Sequence, residues 1–259
     1  MTSEALAAPP RGKHRVRKEV RKWLPNQHGA WAMLVVPFLI GMLLGHPSWW
    51  HIPLLLAWLL AYTTAFHLQQ YLRLRRISRN PKAPRRHLRP MLVSGAALIV
   101  SGVPVAVAKP GLFVAAAIML PFFLVNLRYA WRNDERALAN GLLAVVPACG
   151  MLLASLYVGG GALSDGWRAA VACLLYFAGT VFYVKTMIRE RGSRNYYRAA
   201  VIFHIVALAL ATWLQPLLAV AFILFLARAV VLPGYKLRPA EVGIIEMGCC
   251  VLLAVLTLI

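Results

Sequence analysis

With 259 residues, 61% of them hydrophobic, and a mean hydropathy of +0.67, the chain is too apolar for a soluble domain, whose surface would need many more charges. Its formal charge of +20 is concentrated in the N-terminal tail and in clusters between apolar segments, which points away from nucleic-acid binding and leaves the bilayer as the solvent. Cys149, Cys173, Cys249 and Cys250 all fall in apolar segments without CxxC spacing, so they read as small packing residues rather than redox or metal sites.

Residues 1–24 mix Ala, Pro and seven basic side chains without periodicity, the composition of a flexible cytoplasmic tail that can lie against anionic head groups. The stretch 18–24 is able to form a short interfacial helix with Trp23 at head-group level. No apolar run with a small-residue cleavage site opens the chain, so the first span is expected to be retained. The transmembrane domain then occupies 25–259. A spanning helix needs roughly 17–25 apolar residues to cross about 30 Å of hydrocarbon. Windows of that kind lie near 30–46, 52–72, 91–108, 111–131, 137–158, 167–188, 199–214, 216–233 and 240–259. The fold class expected is therefore an all-α polytopic bundle of about nine helices, with eight or ten as alternatives because the first and seventh windows are short.

Charge sets the orientation. Of the 28 Lys and Arg, only Lys109 and Arg168 fall on one side; the others precede the first window or sit in the loops 73–89, 128–136, 185–198 and 228–238. The positive-inside rule then gives a cytoplasmic N-terminus and an external C-terminus, consistent with an odd number of spans. The external connections are brief: Lys109-Pro110-Gly111 and Gln215-Pro216 make tight hairpins, and Trp49, Trp50 and Trp167 suit an aromatic belt. Gly159, Gly160 and Gly161 form a flexible turn rather than a phosphate loop, since no strand or Lys-Ser/Thr accompanies them.

Polar side chains inside a bilayer are costly, and each is a functional candidate to be weighed against structural pairing. His67, Gln70 and Tyr71 share one face of the second helix near its cytoplasmic end; Asn126 and Tyr129 do the same on the fourth. Tyr183, Lys185 and Arg189 end the sixth, and His204 lies about one turn into the seventh. All are in the inner half, where a bundle could gather them around one cavity open to the cytoplasm. Paired carboxylates are missing: among the eight acidic residues the only Asp are Asp134 and Asp165, so neither a metal site nor a cofactor is expected. Lys185 and Arg189 can instead meet an anion directly, with Arg89 and His67 as helpers. The competing account is that Lys185 and Arg189 are inside-positive anchors that snorkel to head groups.

Three further features have structural readings. Arg228 and Glu246 reach similar depth if the last two helices form an antiparallel hairpin, and would pair as a structural bridge, with proton coupling as the alternative. His28 either belongs to a helix start capped by Asn26 or lines the cavity. Asn133-Asp134-Glu135-Arg136 reads as a helix-start loop with Asn133 or Asp134 capping.

The stretch Pro25-Asn26-Gln27-His28-Gly29-Ala30-Trp31-Ala32-Met33-Leu34, with the run Tyr183-Val184-Lys185-Thr186-Met187-Ile188-Arg189-Glu190-Arg191 and His204, resembles the YwiC-like family of bacterial integral membrane proteins. That resemblance covers 24–259 and implies a bacterial plasma-membrane protein. More distantly, nine helices with Arg89-Pro90-Met91-Leu92-Val93-Ser94-Gly95 after the second resemble the UbiA-type intramembrane prenyltransferases. Those enzymes place Asp-rich, Mg²⁺-holding motifs at the ends of helices two and six. Here the matching places read His67-Leu68-Gln69-Gln70 and Lys185-Thr186-Met187-Ile188-Arg189, without Asp, so basic side chains would stand in for the metal's charge.

The expected function is binding of an anionic or phosphorylated lipid-like molecule from the cytoplasmic leaflet, through His28, His67, Gln70, Arg89, Asn126, Tyr183, Lys185, Arg189 and His204. No catalytic residue is assigned, and membrane lipids are the expected partners. A small transporter or accessory membrane protein is the alternative, with His67, His204, Lys185 and Glu246 along a path. A third reading is structural, the basic loops docking partners or anionic lipid.

Overall fold

A computed structural model of the chain describes residues 28–259 and, before them, Trp23. The tail, the interfacial stretch 18–24 apart from Trp23, Asn26 and the side chain of His28 lie outside the described residues, and with them the expectations placed there. The described residues contain helices and no strand. In chain order these are α1 (His28–Leu44), α2 (His51–Ile77), a four-residue α3 (Lys82–Arg85), α4 (Leu88–Ala108), α5 (Gly111–Trp131), α6 (Leu138–Val158), α7 (Leu163–Val184), α8 (Arg194–Leu214), α9 (Leu218–Val231) and α10 (Pro239–Leu258). A π-helical turn (Lys185–Arg189) extends α7, and a 3-10 turn (Leu232–Gly234) extends α9.

Seven of these helical stretches are long and apolar enough to cross a membrane; α1 and α9 are shorter apolar helices. At about 1.5 Å per residue, α9 covers only some 20 Å, so Arg228 near its end stays below the surface of the bundle. The loop expected over 73–89 is mostly helical: α2 runs on to Ile77, and α3 and the first turn of α4 fill much of the remainder. Arg75 and Arg76 fall in the last turn of α2, where cations complement the partial negative charge of a helix C-terminus.

Small residues set the closest packing. A Cβ on Gly41 would fall 2.1 Å from the Leu152 carbonyl oxygen, and one on Gly45 would fall 2.8 Å from that of Leu156. The four-residue spacing of these glycines seats α1 backbone to backbone on α6, a close approach that lets even a short helix hold its place. Pro37 interrupts α1, and neighbouring helices reach its carbonyls: Trp58 Nε1 donates to Leu34 O at 3.2 Å and Ser155 Oγ to Phe38 O at 2.9 Å. The core runs through α6 to α10, with Leu152, Tyr176, Phe177, Phe222, Phe225 and Leu253 buried together. By contrast α4 and α5 expose Val93, Ile99, Val100, Phe113, Val114 and Ile118, a surface suited to acyl chains. The protein is a multi-pass helical membrane protein.

Hydrogen bonds join the basic loops at one end of the bundle. Arg76 donates to Trp131 O at 2.9 Å, Lys185 Nζ to Arg136 O at 2.6 Å and Arg191 to Tyr235 O at 2.6 Å. At the opposite end buried His51 donates through Nε2 to Ser155 O and accepts through Nδ1 from the Ser48 amide, both at 3.0 Å. There Trp49 stacks on Trp50 at 3.9 Å, and Trp49 and Trp167 are exposed as an aromatic belt requires.

The 133–136 loop departs from its sequence reading. Asn133 adopts φ 60°, its amide donates to Ala130 O and that of Asp134 to Tyr129 O, both at 3.0 Å. This is a Schellman closure of α5 with Asn133 in the left-handed position, so Asn133 ends one helix instead of starting the next. The N-cap of α6 is Ala137, without a side-chain hydrogen bond.

Candidate functional site

The sequence candidates do not converge on a single cavity. They separate into a basic mouth at the end of α2, a polar core among α7 to α10, and positions committed elsewhere. Asn126 donates to Phe122 O of its own helix at 2.7 Å. Lys185 is turned to Arg136 O, with Tyr196 at 5.8 Å, and Arg89 and Arg189 are exposed.

The mouth follows from one face of α2. His67, Tyr71, Leu74 and Ser78 are spaced three or four apart, so they form a stripe that descends from the helix end into the bundle. Beyond Ile77 the chain turns sharply: Ser78 Oγ accepts the Asn80 amide at 3.2 Å, Asn80 Oδ1 accepts that of Lys82 at 2.9 Å, and Pro81 leads into α3. The turn folds α3 back beside α2 and leaves a cavity of about 420 Å³, lined by Tyr71, Leu74, Arg75, Ser78, Arg79, Asn80, Pro81, Pro84 and Arg85. The side chains of Arg75, Arg79 and Arg85 are exposed and have no hydrogen-bond partner among the described residues, which leaves their guanidinium groups free to meet an anion.

One turn below Tyr71, the buried ring of His67 continues the stripe. Its Nε2 faces Trp23 O at 3.0 Å, and a carbonyl only accepts, so Nε2 carries the hydrogen. In the neutral ring Nδ1 then accepts from His87 Nδ1 at 2.9 Å, and His87 Nε2 accepts from Arg86 Nε at 3.3 Å. The pair thus makes a directional chain from the surface to Trp23. Thr64 and Ser94 bond at 2.8 Å further in, holding α2 to α4. On the adjoining face Gln70 donates to Glu135 at 3.3 Å, and Arg73 bridges Glu135 at 3.1 Å and Asn133 at 2.8 Å. Gln70 therefore serves a loop clasp beside the mouth.

The second cluster is intramembrane. Arg228 and Glu246 form a buried ion pair between α9 and α10. Thr180 donates to the second Glu246 oxygen at 2.8 Å, and Tyr176 to the same oxygen at 3.1 Å. Tyr183 lies under the Arg228 guanidinium, 4.4 Å from ring centre to carbon, and His204 packs against Gly179 of α7. Tyr183 and His204 thus both lie at α7 near this cluster and not in the mouth. Among the described residues, no three His, Cys, Asp or Glu side chains gather as a metal-binding group.

Sequence reading missed Arg75, Arg79 and Arg85 as members of the mouth, and His87 as the partner of His67. The four-residue step from Tyr71 to Arg75 to Arg79 was a usable signal, but the contribution of Arg85 and His87 depends on the backward turn at Pro81. It likewise missed Tyr176 and Thr180, whose spacing to Tyr183 marks one face of α7.

Residues 24–156 match the family described as YwiC-like protein. "Uncharacterized protein YwiC" of Bacillus subtilis is 35% identical over 243 residues, an alignment spanning 91% of this chain and 97% of that protein. The chain belongs to the YwiC-like family. An "Uncharacterized protein" of Haemophilus influenzae is 33% identical over 239 residues, again 91% of this chain and 97% of the relative. These alignments carry the family likeness beyond the α1 to α6 half. No solved structure matches the chain.

Proposed function

We propose that this YwiC-like protein binds an anionic, phosphate-bearing amphiphile at the basic end of the bundle, with the head group in the mouth at the end of α2 and the chain along the exposed apolar faces of α4 and α5. The observation that carries the reading is the cavity of about 420 Å³ bordered by Arg75, Arg79 and Arg85. Arg offers parallel N–H donors to phosphate oxygens, while Tyr71, Ser78 and Asn80 add neutral hydrogen-bonding groups. The inside-positive distribution supports placing this end at the cytoplasmic leaflet of a bacterial plasma membrane. His67 stands one turn below Tyr71, outside the lining of the mouth. Lys185 and Arg189, the anion partners expected from sequence, belong in this reading to the surrounding positive surface.

The test is mass spectrometry of lipids retained by the full chain purified in mild detergent, for wild type and for Arg75→Gln/Arg79→Gln/Arg85→Gln. Wild type is expected to retain a phosphate-bearing amphiphile, and the triple variant to lose most of it while keeping the same elution profile. Retention by wild type no greater than by an unrelated membrane protein of similar size, or equal retention by the triple variant, rejects the proposal.

A further inference from the structure

We propose that the polar core among α7, α8, α9 and α10 is a second site, one that binds a carboxylate through Arg228 and takes up a proton at His204 as it does so. Arg228 is 6% exposed, and one of its nitrogens, Nη1, is bonded to Glu246. The remaining nitrogens, Nε and Nη2, have no hydrogen-bond partner. They form the second edge of the guanidinium, where two parallel N–H groups match the two oxygens of a carboxylate. Tyr176 and Cys249 adjoin the group.

Two further buried atoms are unpartnered beside it. The Tyr183 hydroxyl is one; its residue is fully buried, and its ring lies under the guanidinium. The other is Nε2 of His204, a residue 3% exposed. His204 Nδ1 donates to Ala200 O at 2.7 Å, so in the neutral ring Nε2 is a bare acceptor. It lies 3.0 Å from the place of a Cβ on Gly179, one helical turn from Tyr183 on the same face of α7. Buried polar groups are nearly always paired, because leaving one unpaired in a low-dielectric interior forfeits its hydration without replacement. The open edge of Arg228, the Tyr183 hydroxyl and the bare His204 nitrogen are the groups a ligand would meet.

Charge balance supplies the proton. Glu246 already offsets Arg228, so a bound carboxylate alone would leave one uncompensated negative charge in the bilayer interior. The groups facing the site are Tyr176 and Tyr183 from α7, His204 from α8, Arg228 from α9, and Glu246, Cys249 and Cys250 from α10; Lys185 of the π-helical turn is engaged with Arg136 O. Of these His204 carries the neutral ring nitrogen that can accept a proton once a carboxylate lies beside it. One proton passes from water to Nε2, one carboxylate enters, and the imidazolium N–H joins Arg228 and Tyr183 as a donor. The carboxylate comes either from a bilayer amphiphile or from a water-soluble molecule.

The experiment measures binding of carboxyl-¹³C-labelled decanoate and of ¹³C-acetate to the full chain in phosphatidylcholine nanodiscs, by carboxyl NMR, between about pH 5.5 and 8. Wild type is expected to bind one of the probes, with affinity falling by up to about tenfold per pH unit as pH rises, since one proton enters with each carboxylate. Binding of decanoate alone identifies a lipid-borne carboxylate; binding of acetate as well identifies a small soluble one. Arg228→Lys keeps the charge but loses the two-pronged edge, and is expected to weaken binding about tenfold or more. His204→Gln is expected to remove the pH slope. If Arg228→Lys does not fold, Tyr183→Phe carries the test: it removes one hydroxyl, keeps the ring, and is expected to weaken binding about three- to tenfold. Absence of binding by wild type to either probe, affinity without a pH slope, or unchanged affinity in the folded variants overturns the proposal.

Discussion

Arg228 and Glu246, eighteen residues apart, pair inside the bundle, and Glu246 is held by two further donors, Tyr176 and Thr180 of α7. One ion pair thus locks three helices. Removing one partner leaves the other as an uncompensated buried charge, which costs about 3–5 kcal/mol, whereas replacing both with apolar side chains is far milder. Arg228→Met is therefore expected to destabilise the protein more than Arg228→Met/Glu246→Met. Reversible unfolding in mixed micelles checks this, and equal losses would show that the pair is not the lock.

The half-exposed pair of Arg73 and Glu135, with side chains 31% and 24% accessible, should behave differently. Water and salt screen it, so Glu135→Gln is expected to cost less than about 1 kcal/mol, and the cost should shrink as salt is raised. A cost comparable to that of Arg228→Met, independent of salt, would contradict the half-exposed geometry.

Gly41→Ala places a methyl group 2.1 Å from Leu152 O, so α1 and α6 must separate. The expected loss is about 1–3 kcal/mol, the usual range for overpacking. Gly243, also helical, has nothing within 4 Å of its added Cβ. Gly243→Ala is expected to be neutral or to gain up to about 1 kcal/mol from helix propensity. Similar thermal shifts for the two variants would count against the close α1–α6 seat.

Asn133 at φ 60° is the one non-Gly residue with positive φ among the described residues. Asn133→Val is expected to destabilise by about 1–2 kcal/mol, because a β-branched side chain resists the left-handed conformation. Asn133→Gly keeps that conformation and loses the hydrogen bond from Arg73, so it should be the milder change. If Val is tolerated as well as Gly, the Schellman closure of α5 is wrong.

The His67–His87 contact is measurable by a double-mutant cycle. With the two Nδ1 atoms 2.9 Å apart, the coupling between His67→Phe and His87→Phe is expected to be about 0.5–1.5 kcal/mol. Strict additivity would mean that the rings do not share a proton.

Much of the architecture was legible in the chain. The nine apolar windows correspond to α1, α2 and α4 to α10, since the length of an apolar run and the need to satisfy every backbone group in lipid leave little choice but a helix. The pairing of Arg228 with Glu246 was legible too, because two helices joined by a short turn bring residues equally far from that turn to the same depth. The sites were much less so. His67 and Tyr71 belonged to one stripe as their spacing required, but the cavity beside them exists because α3 folds back at Pro81 and carries Arg85 to α2.

Composition and periodicity by themselves determined a helical membrane protein with its basic residues gathered at one end; these are properties of each segment and its solvent. The tertiary structure decided which polar groups meet. Lys185 was drawn to the Arg136 carbonyl, and Tyr183 and His204 were placed around Arg228. The physical reason is that side-chain partners depend on helix rotation and on close approach at residues such as Gly41 and Gly179, which pattern within a single segment does not encode.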